Sequence, residues 1–314
     1  MSLDLLLLVA VLIALAMIGS RVGFGHRRVP SGILLLSETK TLFIVIGMAI
    51  GPHGLNLLSD AVLRQLTPIV ILGFGWIGFL YGSHLEWRRM RRFSGRMYAV
   101  GFSESLVTLI GVSVVCWLLL PLLHHELPPA TRVMMAAALG ICAAGTAPAG
   151  VFLLERDRRI ARSDVRALKF FSAVDDLPAI LALGGLFAVL HQHQGVAVLG
   201  AWQRLLLSIG MGLVLGGVSH WLFPTSGDAR HNTVILLGVA ALTAGSADLL
   251  GLSPLFVAVI AGVGFANLSP RKERAYGLMA SREQTLYAVF LLIAGAMFGF
   301  ERGRLLWLMV PGYA

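Results

Sequence analysis

Long apolar runs recur along this chain, each nearly free of charge, with arginine gathered in alternate short stretches between them. A helix needs about 20 such residues to cross a hydrocarbon layer about 30 Å thick. Charged residues make up only 13% of the chain, against about 25% in soluble domains, so water is not the solvent for most of it. The net charge of +9 does not indicate a nucleic-acid partner. The basic residues sit in short loops between apolar runs, as the positive-inside rule describes for cytoplasmic loops.

The spans read as Leu5–Ile18, Ser37–Gly51, Ala61–Tyr81, Met97–Leu123, Val133–Leu154, Ala167–Leu190, Leu205–Phe223, Val234–Ala247, Leu255–Ala266 and Thr285–Phe300. That is about ten full spans in an all-α polytopic membrane protein, with a single transmembrane domain over residues 1–314. A partial eleventh begins at Leu305 and stops at Ala314. Its rise of about 15 Å is half a bilayer core. The first run has Asp4 before it and Arg21 after it, the reverse of a signal peptide, and reads as a retained helix.

Loop charge gives the sidedness. Odd-numbered loops hold Arg21, Arg27 and Arg28, then Arg88 to Arg96, Arg156 to Lys169, Arg230, and Arg271 to Arg282, most of the 25 basic residues. Even-numbered loops hold only Arg64, Arg132, Arg204, Arg302 and Arg304. The odd loops therefore face the cytoplasm of an inner-membrane protein whose N-terminus is outside. His124, His125, His191 and His193 fall on the outer side, as a metal or pH-sensing cluster or as plain loop histidines. Cys116 and Cys142 lie inside apolar runs and read as buried thiols. Nothing in the sequence calls for a cofactor or a resident metal.

Ionisable groups within a membrane are costly, and each is a functional hypothesis. Asp175 and Asp176 lie in the sixth span, followed by Pro178. Counting from Ala167, Asp176 is about 13 Å along the helix axis, near the midplane. Neighbouring helical residues point about 100° apart, so one carboxylate can face a cavity and the other a partner helix. Their repulsion in a low dielectric favours holding one proton, and such a pair can trade a proton for a small cation. The plain alternative is an N-cap position at a shorter helix. Pro178 has no amide hydrogen for the Val174 carbonyl, which leaves a free oxygen or a kink.

Gly145-Thr146-Ala147-Pro148, with Gly150 after it, interrupts the fifth span. It reads either as unwound backbone lining a cavity or as a kinked, closely packed helix. Glu104, between two serines, is a candidate funnel residue or a hydrogen-bonding partner for a neighbouring helix. Glu38 and Lys40 read as an interfacial pair.

Five segments in order carry a family resemblance: Gly47 to Gly54, Leu72 to Gly82, Gly145 to Pro148, Asp175-Asp176, and Gly251-Leu-Ser253-Pro254 with Ala261-Gly262. Together they resemble the monovalent cation:proton antiporter-2 family of the sodium/proton exchanger superfamily. The resemblance implies a homodimeric, inverted-repeat helix bundle with a broken crossover helix. Spans one to three and seven would form a scaffold, and spans four to six the first core repeat. It implies a secondary transporter rather than an enzyme, exchanging protons for Na⁺ or K⁺ by alternating access. Asp176 would be the main carrier, Asp175 the acid that pairs with a later basic residue, and Gly145, Thr146, Ala147 and Pro148 the crossover lining. An Asp-Asp pair is associated in that family with electrogenic exchange.

The departures are as informative. The second core repeat is incomplete after residue 304, and Phe290 to Met297 hold no Lys or Arg to partner Asp175. The chain therefore reads as C-terminally truncated. Two other functions stay open: a potassium efflux system of the same family, and a non-transporting scaffold or sensor. Intramembrane aspartyl proteolysis would need its two acids on separate, facing helices, and these are adjacent.

Overall fold

The computed structural model describes residues 41–91, 94–123, 128–145, 168, 170–171, 174, 176–190, 199–223 and 228–298. Among them every regular element is an α-helix. These are α1 (Thr41–Ile50), α2 (Asp60–His84), α3 (Trp87–Met90), α4 (Gly95–Leu123), α5 (Pro129–Ala144), α6 (Asp176–Leu190), α7 (Ala201–Leu222), α8 (Ala229–Leu249), α9 (Pro254–Leu268) and α10 (Lys272–Ala296). By length and composition α2, α4, α7 and α8 can each cross a bilayer.

Their surfaces agree with that solvent. On α4 the exposed residues Val107, Ile110, Val114, Leu118 and Leu122 recur at helical spacing and form one apolar stripe. On α7 the exposed Trp202 and Trp221 lie near opposite ends. The nineteen helical steps from one to the other rise about 28 Å, which matches two aromatic belts on either side of a hydrocarbon core.

The helices pack in two groups. α2 makes its most extensive contact with α9, while α7 lies on α9, α8 on α2, and α1 on α10. Trp76 and Phe79 of α2, Phe223 after α7, Leu236 of α8, Phe265 of α9 and Met279 of α10 are all buried in one cluster. The second group is α4, α5 and α6, joined around Ile141, Ala144 and Ala179. Its larger contacts with the first group run through α6, against α7 and α9. Gly184 of α6 meets the Phe256 ring of α9 there.

Small residues make the first group tight. A Cβ at Gly82 would overlap the Val259 carbonyl oxygen, and one at Gly262 the Phe79 carbonyl oxygen, so α2 and α9 touch backbone to backbone. Between α8 and α9, Gly251 takes the left-handed conformation, φ 66°, which costs glycine nothing. Ser253 then caps α9, its hydroxyl accepting from the Phe256 amide at 3.3 Å, with Pro254 at the first helical position. The Gly-x-Ser-Pro segment is thus a turn device.

Four boundaries and placements differ from those expected. α10 begins at Lys272 rather than Thr285. Its charged first half consists mostly of good helix formers, and Ala275 and Met279, one turn apart, are both buried. α5 ends at Ala144, ten residues before the expected end. Arg204, assigned to a loop by charge counting, lies in the first turn of α7 at 2% exposure. Its Nε donates to the Leu199 carbonyl at 3.1 Å. Cys142 is exposed and Cys116 half-buried among the described residues, not buried as expected.

Candidate ion and proton site

The fifth helix stops where its sequence removes the means to continue. Pro148 offers no amide to the Ala144 carbonyl. Gly145, the C-cap, adopts extended backbone, φ −81° and ψ 130°. The last carbonyls of α5 have no intrahelical donors, and together they carry about half a negative charge.

The Asp176 carboxylate lies at this helix end. A Cβ on Gly145 would stand 2.9 Å from Asp176 Oδ1, so the acid fills the space that a glycine leaves open. One residue from each of two sequence-derived constellations, Gly145 and Asp176, therefore meets the other in space. Asp176 is not an N-cap, because Phe170, Phe171 and Val174 ahead of it are already helical. With Val174 and Pro178 both in helix, the Val174 carbonyl has no intrahelical donor, and its side chain is buried at 3% exposure.

Apolar packing surrounds this polar end. Ile141 and Ala144 of α5 and Ala179 of α6 close one side, with Leu109, Leu183 and Leu186 behind them. From α4, Gly101 lets the Val174 and Phe171 side chains approach closely. Tyr98 of α4 donates to the Met90 carbonyl at 2.7 Å, and its ring meets Phe170 edge-on at 5.0 Å. These contacts fix the start of α4 against the segment that carries the acid.

A carboxylate beside the end of a helix can exchange a bound proton for a small cation, since both compete for one negative charge. This arrangement can take up and release a small cation or a proton. A groove of about 640 Å³ runs beside it between α5 and α6, but Leu109, Val133, Met134, Ile141, Leu186 and Val189 make it apolar. It is not a path for a hydrated ion.

Glu104 lies on α4, exposed, next to the buried Ser105 and one turn from Gly101. It flanks the face that α4 turns to α6. Asp175, Thr146, Ala147 and Pro148 lie outside the described residues, as do Glu38, Lys40 and the four outer-side histidines. Sequence reasoning missed the buried Arg204, which a basic residue beginning an apolar run could have signalled. It also missed the buried Asn232 of α8.

Among the described residues, four helices are long and apolar enough to cross a membrane, which makes this a helical membrane protein. The chain belongs to the sodium/hydrogen exchanger family: its transmembrane profile matches residues 7–301. It is thus a multi-pass membrane transporter for cation:proton antiport, with protons and monovalent cations as its substrates.

Proposed function

We propose that Asp176 is the residue at which this protein exchanges a proton for Na⁺ or K⁺, with Gly145 and the Thr146-Ala147-Pro148 segment lining the same site. The observation that carries the reading is that Asp176 Oδ1 lies 2.9 Å from where a Cβ on Gly145 would stand, at the end of α5. Cation and proton compete there for one negative locus, which couples the two fluxes without further machinery. Asp175 is the second acid of the pair and Glu104 a funnel residue on the approach. Alternating access follows from sliding the α4–α6 group against the group built on α2 and α9. The thin contact through α6 supports this division. Within the superfamily, the reading assigns the chain to the monovalent cation:proton antiporter-2 branch. It would work as a homodimer in the cytoplasmic membrane, with its N-terminus outside.

The test is exchange in everted vesicles, read with a dye for internal pH on addition of Na⁺ or K⁺. The chain and its Asp176→Asn variant are compared at equal insertion. Cation-dependent dequenching that disappears in the variant is the expected result. Exchange that survives in Asp176→Asn would remove Asp176 from the carrier role.

A further inference from the structure

The turn between α2 and α3 meets the turn between α9 and α10 on the face that carries the excess of arginine and lysine. Asn267 joins them with its whole amide. Its Oδ1 accepts from the Trp87 amide at 2.9 Å, and its Nδ2 donates to the carbonyls of Leu85 at 3.2 Å and Val263 at 2.8 Å. Lys272 Nζ meets Glu86 Oε1 at 2.6 Å, so the nearly buried carboxylate already has its counter-charge. Above this fixed floor opens a cleft of about 700 Å³ lined by Glu86, Trp87, Arg88, Asn267, Pro270 and Lys272.

Arg88 is exposed and makes no hydrogen bond or ion pair among the described residues. Lys272 has two further ammonium hydrogens beyond the one directed at Glu86. Trp87 is 56% exposed, with the Arg91 guanidinium 5.2 Å over its ring. Leu268, beside Asn267, is 58% exposed. An exposed indole and leucine mark the boundary between headgroups and hydrocarbon. A cleft there with an unspent guanidinium and a shared ammonium is complementary to a phosphodiester, not to a zwitterion with its own cation.

We propose that this cleft binds the phosphate of an anionic phospholipid from the leaflet on the arginine-rich face. Arg88 and Lys272 hold the phosphate, and Trp87 sits against the glycerol. The occupant bridges the two turns that Asn267 and the Glu86–Lys272 pair already join.

Spin-labelled phosphatidylglycerol and phosphatidylcholine bound to the full reconstituted chain test this through the immobilised fraction. The unmodified protein should prefer phosphatidylglycerol. Arg88→Gln should cut that preference about fivefold, the effect of one basic charge at a membrane surface. Arg88→Lys should keep most of it. Among the described residues Arg88 has no partner to lose, and a melting curve for each variant checks folding. Arg230→Gln, on the same charged face but outside the cleft, should leave the preference intact. Equal binding of both lipids by the unmodified chain would overturn the proposal. So would an equal loss in Arg230→Gln, or an Arg88→Gln variant with undiminished preference. Displacement by excess inorganic phosphate would replace the lipid with a small soluble anion and overturn it as well.

Discussion

Gly145→Ala separates the geometry of the site from the stability of the fold. The added Cβ would lie 2.9 Å from Asp176 Oδ1, whereas ordinary contact begins at 3.4 Å. The carboxylate, as the end of a side chain, retreats by about 0.5 Å, which is the tolerance within which a functional constellation must be held. A misplacement of about 1 Å can cost about a hundredfold in rate, so half of that predicts a loss of about tenfold in exchange. Stability should hardly change. The φ and ψ of Gly145 suit alanine, and such a substitution stabilises by about 0.4–1 kcal/mol through the unfolded chain. Exchange rate and half-saturating cation concentration in everted vesicles, with a melting temperature in detergent, give the readout. A variant that melts normally and exchanges at the unmodified rate would refute the reasoning. A variant that unfolds would show instead that α5 needs glycine for packing.

Gly82→Leu would drive a side chain into the Val259 carbonyl. Overpacking of this kind costs about 1–3 kcal/mol or more, and the melting temperature should fall well below that of the parent. Asn267→Ala removes the bonds that join the two turns, at about 1 kcal/mol for a partly exposed group, again read by melting. Val114→Lys puts a charge on the exposed stripe of α4 and should lower the yield of inserted protein, since lysine at a helix centre costs about 2.5–3.5 kcal/mol to insert. Unchanged insertion would mean that α4 does not face lipid.

Much of the scaffold was legible because its signals are local. The apolar runs announced α2, α4, α7 and α8, and the glycine-rich run from Leu72 to Gly82 turned out to be a contact surface shared by α8, α9 and α10. Pro148 and Gly145 announced a break, and the structure ends α5 there. What a linear reading could not give was the meeting of Gly145 with Asp176, which depends on how α5 and α6 cross. Apolarity also misplaced the start of α10: Lys272 to Gln284 is polar in composition but folds as helix because one face is buried. Charge counting placed Arg204 in a loop because it cannot see a side chain turned inward to the Leu199 carbonyl.

The backbone-to-backbone seam of α2 and α9 has a mechanical consequence. A contact between side chains yields under load, because rotamers can be traded at small cost. A carbonyl oxygen lodged where a glycine lacks its Cβ has no such freedom, so this part of the molecule behaves as a stiff beam. The joint to α6 is softer by construction, since the flexible ring of Phe256 fills the notch at Gly184. Among the described helices compliance is therefore concentrated at that joint, and its position is set by where glycine faces carbonyl and where it faces a ring.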